Sequence, residues 1–231
     1  MRVAVIDSGV VGGHSHVGDV EAGIRIRVDG EDDDTIDQIG HGTAVAAAIL
    51  EKAPCARIVP VRVFDRHLAT TAHTLAHAIR WAVEHDCRLI NLSLGTANPE
   101  HEALLAEAVT YARLHGSLIV SPGEQNGVHW LPGSLEGAMP VQLDWMCPRD
   151  RIRVVAMVPD AATRESASAG DLLIHASGYP RPIPGIPPER NLHGVSFAVA
   201  NVTGFLALLL EARPDVRTGK DVLRSLDVAA R

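Results

Sequence analysis

Short aliphatic segments alternate with longer segments of helical periodicity along this chain, and the alternation limits the folds that it can adopt. Six aliphatic segments are predicted as β-strands: residues 2–6, 57–63, 88–94, 117–121, 152–158 and 172–176. Between them, residues 73–86 and 101–116 repeat apolar side chains with the spacing of one helix face, and Gly116 is placed to end the second helix. This order predicts βαβ units, and therefore a three-layer α/β fold with a mainly parallel sheet and helices on both faces.

The composition is consistent with one domain of this class. Of the 231 residues, 46% are apolar but only 3% are aromatic, so small aliphatic side chains form most of the core. Such cores suit helices packed closely on a parallel sheet. No internal repeat is present, and residues 1–231 are predicted as a single domain. The proline-rich residues 179–188 are predicted as a surface loop.

Charge, hydropathy and cysteine content exclude several classes of function. The formal net charge of −7 argues against nucleic-acid binding, which usually needs a basic face. No apolar run looks long enough to span a bilayer, and the chain as given has no signal peptide, so a cytoplasmic location is expected. Three cysteines, Cys55, Cys87 and Cys147, are too few and too widely spaced for a disulfide framework or a zinc cluster.

The first candidate functional residue is Asp7, in the segment VAVIDSGV. It follows a buried strand, and functional groups gather at the carboxyl ends of parallel strands. A carboxylate there could bind a cation or a ribose, orient a histidine, or cap a turn. The glycines that follow, Gly9, Gly12 and Gly13, suggest a nucleotide-binding loop, but their spacing differs from G-x-G-x-x-G.

Two further candidates stand at predicted helix starts. His41 lies between glycines in IGHGTAVAAAIL, where the backbone can turn sharply; a helix N-terminus also lowers the pKa of an imidazole, which favours a neutral base. Ser196 follows Gly194 in NLHGVSFAVANVTGFLALLL, ahead of an apolar helix. A serine there is either the N-cap of the helix or a nucleophile. In the second case the backbone N–H groups of the helix end can stabilise the negative charge that develops on the group it attacks.

Together the three residues occur in the order Asp, His, Ser, which is one of the known orders of a catalytic triad. The segments VAVIDSGV, GHGTAVAAAI and HGVSFAVANVTGFLALLL resemble the three catalytic motifs of the subtilisin-like serine peptidases (subtilases), with Val195 and Phe197 where the family has Thr and Met. The resemblance extends from residue 3 to about residue 228. It implies a subtilisin-like fold and a serine endopeptidase that uses Ser196 as nucleophile, His41 as general base and Asp7 as orienting carboxylate.

The resemblance also implies how a substrate binds. LINLSLGT is similar to the family's edge strand, which pairs with an extended peptide or protein substrate. Ser93, Leu94 and Gly95 are therefore expected to form one wall of the specificity pocket, with Ser121, Pro122 and Gly123 opposite. Small or medium apolar side chains are expected in the pocket. No cofactor is expected; the family allows structural calcium, but no residue pattern here indicates it.

The expected oxyanion segment departs from the family pattern. The family usually has an asparagine after the glycine that Gly123 matches, and here Glu124 stands in that place. Glu124 in its protonated form, or an amide of Gln125 or Asn126 from a longer loop, could donate the missing hydrogen bond. Asn126 and Glu124 are the preferred candidates. The alternative is a catalytically impaired subunit that binds a peptide or a partner protease.

Several other polar residues are predicted to have no direct role in chemistry. The acidic segment VDGEDDDTID is predicted as a solvated turn rather than a cation site. His73 and His77 have helical spacing but no third ligand, so no metal site is predicted. Trp81, Trp130 and Trp145 are scattered singly, which favours packing in the core or at a rim.

Overall fold

The helices and strands follow the predicted alternation. The computed structural model describes residues 1–156, 172–216, 218–219, 221–222 and 225. The strands are β1 (Arg2–Asp7), β2 (Ile24–Arg27), β3 (Gly30–Asp32), β4 (Arg57–Arg62), β5 (Leu89–Leu92), β6 (Leu118–Pro122), β7 (Glu124–Gln125), β8 (Val128–His129), β9 (Met139–Leu143), β10 (Arg153–Ala156) and β11 (Leu172–Ala176). The α-helices whose full bounds fall within the described residues are α1 (His41–Lys52), α2 (Ala72–Glu84), α3 (Glu102–Leu114) and α4 (Val195–Ala212).

Among the described residues, nine strands form one sheet in the order β10-β11-β9-β6-β5-β1-β4-β2-β3. The central pairings are parallel, with β1 between β4 and β5, and only the two edge pairings, β2–β3 and β10–β11, are antiparallel. The predicted mainly parallel sheet is therefore confirmed. Strands β7 and β8 form a separate antiparallel hairpin.

Side chains alternate between the two faces of the sheet, as β1 shows. Val3 and Val5 pack in one core cluster with the apolar side chains of α1 and α4, whereas Ala4 and Ile6 pack in a second cluster with those of α2 and α3. Each face of a parallel sheet must be covered, because both faces bury apolar side chains. Among the helices named above, α1 and α4 cover one face and α2 and α3 the other, so the fold is the predicted three-layer α/β arrangement.

Strand β9 is the main element that the sequence does not predict. It lies inside the sheet, between β6 and β11, yet its sequence MPVQL contains Pro140. Proline lacks an N–H and is rare in central strands, so the proline hides the strand from pattern analysis. Of the predicted strand 152–158, residues 153–156 are observed as β10, and residues 157–158 lie outside the described residues.

Helix α4 is the longest helix in the described part of the chain and begins one residue before Ser196. It has the length and apolar composition of a membrane-spanning segment, in contrast to the expectation that no apolar run is long enough. However, 61% of the helix is buried inside the protein, where it packs against α1 and the sheet. Core helices of α/β domains pass the same test of length and composition, because they are also covered by apolar surface.

Candidate active site

Asp7 and His41 form the most closely connected pair of the site. Asp7 is fully buried at the carboxyl end of β1, and His41 is the first residue of α1. The two atoms Nδ1 of His41 and Oδ1 of Asp7 are 2.7 Å apart. Because a carboxylate can only accept, Nδ1 carries the proton and Nε2 is the free basic nitrogen of the ring.

The pKa of His41 is raised, not lowered as its place at a helix N-terminus predicts. Burial of the ring lowers the pKa, but the hydrogen bond to Asp7 and the charges of Asp7 and Asp37 together outweigh burial. The sequence prediction was wrong because it considered only the helix end, whereas two carboxylates lie near the ring in the folded chain. A raised pKa makes the neutral imidazole a stronger base once it is formed.

Two glycines allow the segments that carry Asp7 and His41 to approach each other. A Cβ atom on Gly42 would lie 2.1 Å from the carbonyl oxygen of Gly9 and 3.1 Å from Cβ of Asp7. Gly9 has a φ of 99°, and a Cβ there would lie 2.4 Å from the carbonyl oxygen of Thr35. Only glycine fits such contacts, so these residues set the distance between strand and helix.

Ser196 is placed by the N-terminus of α4. The preceding Gly194 has a φ of 142°, which favours glycine and turns the chain into the helix. The hydroxyl of Ser196 donates to the carbonyl oxygen of Ser93 at 3.0 Å, and the hydroxyl of Ser93 donates back to the carbonyl oxygen of Ser196 at 3.3 Å. Ser196 is therefore held against the segment that follows β5, and its hydroxyl is not directed to His41.

His41 and Ser196 line the same cleft, which has a volume of about 220 Å³. Four of the six predicted wall residues line it: Ser93, Leu94, Gly95 and Pro122. Ser121 and Gly123 are buried behind the wall, where the Ser121 hydroxyl donates to the carbonyl oxygen of Leu94. The sequence analysis missed four lining residues: Phe64, Leu68, Trp130 and Val195.

Trp130 lines this cleft, although its isolated position in the sequence predicted only packing in the core or at a rim. The backbone N–H of Trp130 donates to the carbonyl oxygen of Gly123, which follows the wall residue Pro122, at 3.1 Å. The next residue, Leu131, exchanges two backbone hydrogen bonds with Thr96, at 3.0 and 2.9 Å, beside the other wall. A Cβ on Gly95 would lie 2.7 Å from the carbonyl oxygen of Leu131. Residues 130–131 thus connect the segment after β6 with the segment after β5. The sequence does not reveal this connection, because it forms between residues that are remote along the chain.

Neither preferred oxyanion candidate lines the cleft. Glu124 pairs with His129 across the β7–β8 hairpin, and Asn126 lies exposed at its turn with a φ of 54°, a conformation that asparagine tolerates. The amide of Gln125 is bonded to β9, to the carbonyl oxygen of Val141 and the N–H of Leu143. The hairpin therefore places none of these three residues in the lining of the cleft. The N–H groups of the first turn of a helix have no partner within the helix, and the first turn of α4 carries Ser196.

The acidic segment 28–37 is not simply a solvated turn. Asp32 accepts hydrogen bonds from Arg25 and Arg27, and Asp34 is paired with Arg25 and with the buried Arg62. The Arg25 hydrogen bond is the main cause that lowers the pKa of Asp32 to about 2. A larger open cleft of about 840 Å³ lies beside these ion pairs and contains none of the predicted site residues. The prediction failed because β2 supplies cations that the acidic segment alone does not reveal.

The loop after β1 does not have the form of a nucleotide-binding loop. It is followed by turns rather than by a helix, and Val11 N–H donates to the Thr43 hydroxyl at the start of α1. The phosphates of a dinucleotide are held at a helix N-terminus directly after the glycine-rich turn. That arrangement is not found at Gly9, Gly12 and Gly13.

The comparison with protein families matches residues 1–141 to the Subtilase family. This match covers more than half of the chain, and the chain belongs to the subtilase family. The thermophilic serine proteinase of Bacillus sp. (strain AK1) is 36% identical over 153 residues, which cover 61% of this chain and 37% of that protein. Fervidolysin of Fervidobacterium pennivorans is 29% identical over 247 residues, which cover 93% of this chain and 35% of that protein. The chain thus spans little more than a third of the length of these two relatives.

Solved structures give the same fold. Sphericase superposes with a TM-score of 0.71 at 24% identity, over 97% of this chain and 80% of that chain. The prenylagaramide maturation protease PagA superposes with a TM-score of 0.64 at 25% identity, over 96% of this chain and 80% of that chain. The expected subtilisin-like fold is therefore confirmed.

Proposed function

We propose that this chain is a serine endopeptidase that processes a specific peptide or protein through an acyl-enzyme. The observation that carries the proposal is that His41, hydrogen-bonded to the buried Asp7, lines one cleft together with Ser196. His41 Nε2 would take the hydroxyl proton of Ser196 as its oxygen attacks the substrate carbonyl. The imidazolium, stabilised by Asp7, would then give that proton to the leaving amine.

The first step requires a rotation of Ser196 about its Cα–Cβ bond. In this structure its hydroxyl donates to the carbonyl oxygen of Ser93. Serine has three staggered rotamers, and catalytic hydrogen bonds are often unformed before substrate binds. The developing negative charge on the substrate oxygen would be stabilised by the N–H of Ser196 and by the positive end of α4.

The substrate is proposed to bind extended, beside Ser93, Leu94 and Gly95. Backbone pairing of this kind gives affinity without regard to sequence, so selectivity comes from the pockets for alternate side chains. The cleft has a volume of only about 220 Å³, and Phe64, Leu68 and Trp130 contribute to its lining, which supports the expectation of small or medium apolar side chains. Selective processing is also consistent with the similarity to PagA, which is a maturation protease.

A second candidate is a catalytically impaired subunit that binds a peptide or a partner protease. Two observations favour it: the Ser196 hydroxyl is bonded to Ser93, and neither Glu124 nor Asn126 lines the cleft. A protein of this kind would keep the cleft and lose the rate enhancement that a side-chain oxyanion donor supplies.

A fluorophosphonate probe distinguishes the two candidates, because it reacts only with an activated serine. We expect labelling of the wild type, and no labelling of Ser196→Ala or His41→Ala. Ser225→Ala is the matched control, since Ser225 lies outside the cleft and bonds to the carbonyl oxygen of Asp221. Well-folded wild-type protein that is not labelled would refute the peptidase and favour the binding subunit.

A further inference from the structure

Asp37 is a buried carboxylate four residues before His41. The proposed reaction of Asp7, His41 and Ser196 assigns no role to it. Only 8% of the residue is exposed, and its two oxygens accept five hydrogen bonds. Oδ1 accepts from the Ser8 hydroxyl at 2.8 Å, from Ile39 N–H at 2.9 Å and from Gly40 N–H at 2.8 Å. Oδ2 accepts from the N–H and hydroxyl of Thr43, at 2.8 and 2.7 Å.

The donors surround His41 in the sequence and in space. Ile39 and Gly40 precede it and Thr43 follows it, so a single carboxylate binds both sides of the turn that begins α1. A negative charge in this position is also stabilised by the free N–H groups of the helix N-terminus. The conformation of the backbone that carries the imidazole is therefore fixed by Asp37.

The Ser8 hydroxyl connects this turn to the strand that carries Asp7. Ser8 donates through its hydroxyl to Asp37, accepts from Gly42 N–H at 3.0 Å, and donates its own N–H to Oδ1 of Asp7 at 2.7 Å. Ser8 and Asp37 are both buried. Buried polar groups that satisfy one another in this way hold a defined geometry, because each lost hydrogen bond leaves an unsatisfied group behind.

We propose that Asp37 is a positioning residue for the endopeptidase reaction, and that it holds the imidazole of His41 against Asp7 through this network. The proposal rests on the function proposed above. Asp37 also supplies a fixed negative charge. Burial raises the pKa of Asp37, but the hydrogen bonds from Thr43, Gly40 and Ile39 outweigh burial and keep the pKa below its usual value, so the carboxylate is ionised at neutral pH.

The groups that face His41 come from three elements. Asp7 approaches from β1, Asp37 from the turn before α1, and the uncharged ring of Phe197 from α4 at 5.7 Å between ring centroids. Of these, Asp7 and Asp37 raise the pKa of His41 against the opposing effect of burial. Removal of the charge at residue 37 therefore lowers the pKa of His41, an effect that a purely structural role does not produce.

The test compares Asp37→Asn with Asp33→Asn, which removes one charge from the same segment at an exposed residue. Titration of the histidine signals by NMR, with His41 assigned from the signal missing in His41→Gln, is expected to give a lower His41 pKa in Asp37→Asn. Asp33→Asn is expected to leave it unchanged. Against a peptide substrate, Asp37→Asn is expected to lose up to about 100-fold in kcat, as for a misplaced catalytic group, with little change in KM.

An unchanged His41 pKa and kcat in folded Asp37→Asn would overturn the proposal. If that variant does not fold, Ser8→Ala decides, because it removes one of the five hydrogen bonds and keeps the charge. The expected result is a loss of about fivefold in kcat, the equivalent of one hydrogen bond, at constant KM; full activity would refute the positioning role. The titration needs no turnover, so an inactive wild type with a lowered His41 pKa in Asp37→Asn would refute the peptidase function alone.

Discussion

Nδ1 of His41 lies 2.7 Å from Oδ1 of Asp7, although the two residues are 34 positions apart in the sequence. The contact forms because the carboxyl end of β1 and the N-terminus of α1 meet where Gly9 and Gly42 leave no side chain between them. It fixes the tautomer of the ring and directs Nε2 away from Asp7. The proposed reaction therefore depends on a contact whose two partners face each other only in the folded chain.

The pH dependence of hydrolysis is expected to reflect the raised pKa of His41. Only the neutral imidazole accepts a proton, so kcat/KM rises with pH as His41 deprotonates. Because the pKa lies above that of an ordinary histidine, near 6.5, the midpoint of this rise is expected above pH 6.5. A pH–rate profile from pH 5 to 9 measures it. His129→Gln, at an exposed histidine, is the control; a midpoint at or below 6.5 would contradict the prediction.

The same pKa shift has a consequence for folding. The folded state binds the His41 proton more tightly than the unfolded state, so the resulting stabilisation is present below pH 6.5 and is lost as the pH rises through the folded-state pKa. Stability curves in urea at several pH values are expected to show this loss in the wild type. The loss is expected to be smaller in His41→Gln, and equal losses in both proteins would show that another group is responsible.

The volume available to a substrate side chain is expected to depend on Trp130. Truncation to Ala removes the indole from the lining of the cleft, so cleavage after larger apolar residues is expected to increase relative to cleavage after alanine. A peptide library with product sequencing measures the change. Trp81→Ala is the matched control, because Trp81 belongs to α2, stacks on His85 and does not line the cleft. An unaltered preference in Trp130→Ala would show that another residue sets the size limit.

The side chains of Glu124 and Asn126 are expected to contribute little to the oxyanion site. Loss of a side-chain oxyanion donor costs about 100- to 1,000-fold in kcat, a figure established for subtilisin, another subtilase. Since neither residue lines the cleft, Glu124→Ala and Asn126→Ala are each expected to lose far less than this. Single-turnover kinetics give the comparison. A loss of about 100-fold or more in kcat in one variant would show that the hairpin rearranges when substrate binds.

Stability is expected to depend on a buried polar pair behind the site. The Thr203 hydroxyl lies 2.9 Å from Oδ1 of Asn91 and 2.9 Å from the carbonyl oxygen of Val199, so its one proton is shared between these acceptors; Thr203 and Asn91 are fully buried. Thr203→Val leaves Oδ1 of Asn91 without this donor, so the free energy of unfolding is expected to fall by about 1–3 kcal/mol. Thr110→Val, on the exposed face of α3, is expected to change it by less than about 0.5 kcal/mol. Urea denaturation measures both, and equal effects would exclude the pair as the cause.

Local sequence patterns predicted the strands and helices in which buried side chains recur with the period of the element. The aliphatic segments that became β1, β4, β5 and β6 and the periodic segments that became α2 and α3 are examples. Such patterns are reliable because side-chain burial repeats with the geometry of the element itself. Strand β9, interrupted by Pro140, and the short strands β2 and β3 near one edge of the sheet gave no comparable pattern.

The sequence by itself determined the α/β class, the helix starts at His41 and Ser196, and the order of Asp7, His41 and Ser196 that points to the subtilase family. Only the tertiary structure decided which groups meet: Asp37 with the turn that carries His41, Trp130 with both walls of the cleft, and Ser196 with Ser93. The physical reason is that hydrogen bonds and close packing depend on distances between residues remote in sequence. Periodicity and motif spacing describe only neighbours along the chain.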